Sequence, residues 1–181
     1  MKRSYKDLIK GLTSNDRVCL SKLISFIESD SSYIFKIMNS VKKIPNRVYT
    51  LGITGPPGAG KSTLTNQIIK KFRSSNLKVG VIAIDPSSPF TGGAVLGDRV
   101  RMQEHSLDND VFIRSVGSRG DLGGLSSSTS SIIKLFDIFG MDIVIIETVG
   151  VGQTELDIIK ISDSVLVTLV PEAGDGIQAM K

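Results

Sequence analysis

Gly55-Pro56-Pro57-Gly58-Ala59-Gly60-Lys61-Ser62 is a full match to the pattern G-x-x-x-x-G-K-[ST], and it stands where one kind of apolar spacing hands over to another. Before it, Val48, Tyr49, Leu51 and Ile53 suit a buried parallel strand. After it, Ser62, Thr63, Leu64, Ile68, Ile69 and Phe72 recur at helical intervals. That strand-to-helix setting separates a phosphate-cradling loop from a Gly/Pro turn that happens to precede Lys-Ser. Glycines at 55, 58 and 60 let the backbone curl its N–H groups around phosphate oxygens, and the following helix offers its positive end to the same anion. Gly55, Pro56, Pro57, Gly58, Ala59, Gly60, Lys61, Ser62 and Thr63 are therefore the expected nucleotide-binding residues. Lys61 is placed to reach the β and γ phosphates and Ser62 to ligate Mg²⁺.

Working outward, the alternation of strands and helices continues. Strands are predicted over 48–54, 78–84, 111–116, 142–147 and 163–170, and helices over 61–75, 98–106, 125–139 and 154–161, a pattern that argues for a parallel sheet covered on both faces. The first 45 residues differ, with Leu8, Leu12, Leu20, Leu23, Ile24, Ile27, Ile34 and Ile37 at steps of three or four and Ser14/Asn15 and Asp30/Ser31 as candidate helix N-caps. They form a helical extension, 1–46, ahead of a domain at 47–181.

At 181 residues, 40% hydrophobic and 22% charged, the chain can bury a substantial core, which excludes disordered and fibrous classes. The net charge of +4 is mild and its Lys and Arg residues are scattered without interleaved aromatics, so no nucleic-acid surface is indicated. Cys19 is the only cysteine and sits at an apolar helical position, which excludes a disulfide scaffold and a cysteine-ligated metal and reads as a buried structural thiol. No apolar run approaches the roughly 18 to 20 residues of a membrane span, and Met1-Lys2-Arg3-Ser4-Tyr5-Lys6-Asp7 is too polar for a signal peptide, so a cytoplasmic location is expected.

Carboxylates collect at the carboxyl edge of the predicted sheet. Asp85 ends the strand 78–84, and Asp98 follows in a Gly-rich stretch that reads as a switch loop, with helix N-capping as its alternative role. Glu147 closes the apolar run Ile143 to Ile146 and is followed by Gly150, the layout of a second metal-binding arm in which the glycine N–H senses the γ-phosphate. Gln153 is a candidate for positioning attacking water, with a plain polar loop residue as the alternative. His105 has no evident acid–base partner and reads as a helix-surface residue.

Five blocks, taken in order, resemble the MeaB/ArgK family: Gly55 to Ser62, Asp85 to Pro89, Gly92 to Met102, Glu147 to Gln153, and Pro171 to Asp175. The resemblance implies a P-loop NTPase of the SIMIBI type: an α/β fold whose mostly parallel sheet carries helices on both faces, preceded here by the helical segment. It also implies a GTPase that uses GTP and Mg²⁺ and serves as a chaperone of adenosylcobalamin-dependent methylmalonyl-CoA mutase. Under it, Lys61 and Ser62 hold phosphates and metal, Asp85, Asp98 and Glu147 surround the metal, and Asp175 to Lys181 resembles a switch that communicates with the mutase; with the loop reading above, Lys61, Gln153 and Asp98 are the catalytic candidates. Family members read guanine through Asn-Lys-x-Asp and dimerise through a C-terminal arm. Neither is found in the sequence, so a C-terminally truncated member is expected. Two other functions compete: an ATP-dependent kinase or ATPase of the lysine/arginine/ornithine transport type, and a nucleotide-binding remnant without catalysis.

Overall fold

Alternation along a single strand, Ile143–Thr148, sets the two faces of the sheet. Ile143 and Ile145 join one apolar cluster, with Leu51, Ile53, Val79, Val81 and Ile69. Val144 and Ile146 join the other, with Ile82, Ile84, Phe112, Phe136 and Ile158. The computed structural model describes residues 5–30, 32–41, 48–85, 103–105, 107–117, 124–148 and 154–170. Within them five strands, β1 (Tyr49–Thr54), β2 (Val79–Asp85), β3 (Val111–Gly117), β4 (Ile143–Thr148) and β5 (Ser164–Val167), pair in parallel in the order β3-β2-β4-β1-β5. The predicted strands hold to within a residue or two, except that the last is Ser164–Val167 rather than 163–170.

Helices α1 (Tyr5–Thr13), α2 (Arg17–Ser29) and α3 (Ser32–Ser40) precede the sheet, and α4 (Lys61–Ser74), α5 (Gly124–Phe139) and α6 (Thr154–Ile161) connect its strands. Helix α4 covers the face that holds Ile145; α5, α6 and the three N-terminal helices cover the other, where Leu8, Leu12, Leu20, Ile24 and Ile37 share one core with Val144 and Ile146. Of the helix predicted at 98–106, the described part is a single 3₁₀ turn, Gln103–His105.

Chain direction creates the crevice. From β1 the chain crosses β4 by way of α4 to reach β2; from β4 it crosses β1 by way of α6 to reach β5. Two adjacent strands thus send their continuations in opposite directions, and the gap between their carboxyl ends is where open parallel sheets take ligands.

The expected caps need a correction. Ser14 and Asn15 close α1 rather than open α2: Asn15 takes φ 59° and its N–H donates to Leu12 O (3.1 Å), while Asp16 N–H donates to Gly11 O (2.9 Å). This is a Schellman turn, and Asn tolerates the left-handed position it requires. The cap of α2 is Asp16, whose carboxylate accepts from Val18 N (2.8 Å) and Cys19 N (3.2 Å). Cys19 is buried and donates its thiol to Asp16, as a structural cysteine does.

The two margins of the sheet differ. Beside β3, the Arg17 guanidinium donates to Asn109 O (2.5 Å) and Val111 O (2.8 Å) and lies 5.2 Å from the Phe112 ring centroid. Arg114 on the same strand pairs with Glu28 of α2. At the other margin, Leu166, Val167 and Leu169 are exposed. No helix among the described residues is long and apolar enough to cross a membrane.

Candidate functional site

Between β1 and α4 the chain adopts backbone angles that explain its glycines. Gly60 has φ 83° and occupies the N-cap of α4, with no side chain capping the helix. The first intrahelical bond runs from Leu64 N to Gly60 O (2.9 Å), so the N–H groups of Lys61, Ser62 and Thr63 have no partner within the helix. An uncapped helix start, carrying about half a positive charge from the peptide dipoles, is an anion site.

Lys61 is the first residue of α4 and is buried. Its stem folds back over the loop, where Nζ donates to Gly55 O (2.9 Å) and Pro56 O (2.8 Å). The ammonium is therefore stored at the loop mouth with its charge solvated by backbone carbonyls.

Glu147 enters from β4, in register with Ile53 of β1 and Ala83 of β2. Its odd position in the strand sends it to the α4 face along with Ile143 and Ile145. There Ser62 Oγ donates to Oε1 (2.5 Å) and Thr65 Oγ1 to Oε2 (2.7 Å). Ser62 and Thr65 lie three apart and so share a helix face. Thr65 and Glu147 are both buried. Thr65 was not among the sequence candidates, although its i+3 spacing from Ser62 was the signal available.

The donor set that Ser62 and Glu147 present is all oxygen, which fits a hard divalent cation such as Mg²⁺ and not a thiolate- or imidazole-loving one. Among the described residues no three His, Cys, Asp or Glu side chains converge, so such an ion would take further ligands from water and phosphate. Asp85 ends β2 at the carboxyl edge, its backbone in register with Gly117. The Asp85 side chain, Asp98, Gly150 and Gln153 lie outside what is described. Of the predicted site, the structure brings together the loop 55–60, Lys61, Ser62 and Glu147. The Arg114 guanidinium of β3 is committed to Glu28 and Ser25.

His105 departs from its reading as a surface residue: it is 7% exposed, and its Nε2 lies 2.5 Å from Asn66 Oδ1 of α4. Glu104 beside it bonds Asn66 Nδ2 (3.3 Å) and pairs with Lys70 (2.6 Å), and Asp108 pairs with Arg73 (2.8 Å). This stretch is clamped along α4, starting one turn beyond Ser62. Burial pushes the His105 imidazole below its ordinary value of 6.5, against the pull of Glu104 and with the push of Lys70. The unfolded chain therefore takes up this proton first, and stability declines as pH falls below about 6.5. Asp108, held low by Arg73, contributes its loss only as pH falls below 3.8, outside that window. Urea midpoints at pH 7.5 and 5.5 check this: the drop is expected to be smaller in His105→Gln than in the native chain.

Comparison with known proteins matches residues 20–181 to the family model described as Methylmalonyl Co-A mutase-associated GTPase MeaB. A protein of Pyrococcus horikoshii is 51% identical over 97% of this chain and 55% of its own length. GTPase ArgK of Escherichia coli is 36% identical over 96% of this chain and 54% of its own. Among solved structures, one titled LAO/AO transport system kinase superposes with a TM-score of 0.70 at 27% identity, covering 93% of this chain and 51% of that one. The chain thus spans about half the length of the relatives it matches.

Proposed function

The chain belongs to the MeaB family of mutase-associated GTPases, and from that premise we propose that it is the nucleotide-binding part of a Mg²⁺-dependent GTP switch that assists adenosylcobalamin-dependent methylmalonyl-CoA mutase. The observation that carries the nucleotide half is the uncapped start of α4 behind a left-handed Gly60, with the Lys61 ammonium stored alongside. The triphosphate lies along the loop 55–63. Lys61 exchanges its carbonyl partners for β and γ oxygens, and the backbone N–H groups at the helix start take up charge that develops as water attacks the γ-phosphorus. Ser62, bonded to Glu147, would hold Mg²⁺, with Asp85 and Asp98 as further candidates, and the ion would supply positive charge against the phosphates when bound. Gln153 positions the water and Gly150 senses the γ-phosphate, so hydrolysis releases the loops around them and reports nucleotide state to the mutase. Homodimerisation is a trait of the family through its C-terminal arm, and a cytoplasmic location belongs to this proposal.

Base choice is the point at which the kinase-type reading competes, because a solved structure titled LAO/AO transport system kinase superposes on this chain. Titration calorimetry with GTP, GDP and ATP, with and without Mg²⁺, tests it. GTP is expected to bind at least about tenfold more tightly than ATP, a difference of some 1.4 kcal/mol. Equal affinities favour the ATP-dependent kinase, and no binding of either overturns the nucleotide reading. Stimulation of phosphate release by added mutase tests the partner.

A further inference from the structure

Gly55 is the hinge between β1 and the phosphate loop, and its surroundings explain why it must be glycine. Its φ is 141°, and a Cβ there would stand 2.1 Å from the carbonyl oxygen of Thr168 and 2.4 Å from that residue's Oγ1. Thr168 lies just beyond β5, past the last ladder pair, Thr54 with Val167. It nevertheless holds the end of β1 twice: its N–H donates to Thr54 O at 2.8 Å and its Oγ1 donates to the same oxygen at 3.1 Å. On the adjoining strand, Thr148 Oγ1 donates to Thr54 Oγ1 (2.9 Å).

The Thr54 carbonyl and the Gly55 N–H belong to one rigid peptide plane. Two donors converging on its oxygen fix the rotation of that plane, and with it the direction in which the loop leaves the sheet. The next carbonyl, Gly55 O, is an acceptor for Lys61 Nζ. We propose that Thr168 is a positioning residue for the phosphate loop, acting through the Thr54 carbonyl and Gly55 on the place where Lys61 is held. A ladder bond would need the backbone N–H alone; the side-chain hydroxyl adds a second anchor where the loop begins. The same threonine lies three residues before Pro171, so the chain after β5 and the nucleotide loop share one attachment point. Its consequence for binding rests on the nucleotide reading above.

Thr168→Val keeps the shape and removes the hydroxyl, and Thr168→Ser restores it. In ¹⁵N–¹H spectra of the ligand-free protein, Thr168→Val is expected to move the Gly55 and Lys61 amide resonances, while Thr168→Ser leaves them near their native positions. GTP affinity is expected to weaken about fivefold in Thr168→Val, the worth of one neutral hydrogen bond, with affinity recovered in Thr168→Ser. Unmoved resonances with native affinity in Thr168→Val overturn the proposal. So does equal weakening in both variants alongside equal loss of thermal stability, which marks a packing role only. If the native chain binds no GTP, the nucleotide reading fails by itself, and the ligand-free spectra still decide whether Thr168 orients Gly55.

Discussion

Lys61→Ala is expected to lower GTP hydrolysis by about 10² to 10³-fold, the scale seen when one preorganised donor to developing charge is removed. The ammonium is already at the loop mouth, 2.9 Å from Gly55 O and 2.8 Å from Pro56 O, so little reorganisation separates its resting position from a phosphate oxygen. Its burial means that few water molecules compete for its protons. Alanine leaves two backbone carbonyls facing the loop without this donor, so circular dichroism and a melting curve should accompany the assay to establish that α4 still forms. Lys61→Arg is not a rescue, because a planar fork does not replace a compact charge. Single-turnover phosphate release provides the measurement, and a rate within twofold of the native chain would remove Lys61 from the mechanism.

The second large effect concerns stability. Phe136 of α5 is fully buried, meets Phe112 of β3 edge to face at 5.6 Å, and lies so close over Gly80 of β2 that a Cβ there would be 3.1 Å from its Cδ1. It sits where α5, the sheet and the N-terminal helices share one core. Phe136→Ala is expected to cost about 3–5 kcal/mol, the range for truncating a packed aromatic residue. For a chain of this size that corresponds to a fall in melting temperature of about 10 °C. Calorimetric melting checks it, and a loss below about 1 kcal/mol would show that the surrounding core collapses to fill the space. Because α4 packs on the opposite face, GTP affinity measured well below the melting point should stay close to native.

Much of this was legible in the sequence because local chemistry dictates it. The glycines of the loop, the switch from alternating to helical spacing at Lys61, and the carboxylate that ends an unbroken apolar run each need only their neighbours to be read. What escaped was set by register. Thr65 matters because β4 lies beside β1 and delivers Glu147 to the α4 face. Thr168 matters because β5 pairs with the other side of β1. Neither pairing is visible from spacing. His105 was read as exposed because its partner, Asn66, is far away in the chain and approaches only once α4 packs on the sheet. Asn15 was read as a helix start, although its tolerance of a positive φ served to end the preceding helix.

The Arg17 guanidinium occupies two outward-facing carbonyls at the start of β3, whereas beyond β5 the described residues leave apolar side chains in the open. A newcomer strand, from the same polypeptide or another molecule, finds two acceptors taken where the first flank begins and, among the described residues, exposed apolar side chains along the second. Enlargement of this architecture is thereby steered one way, toward the side where β5 already leans on the root of the phosphate loop.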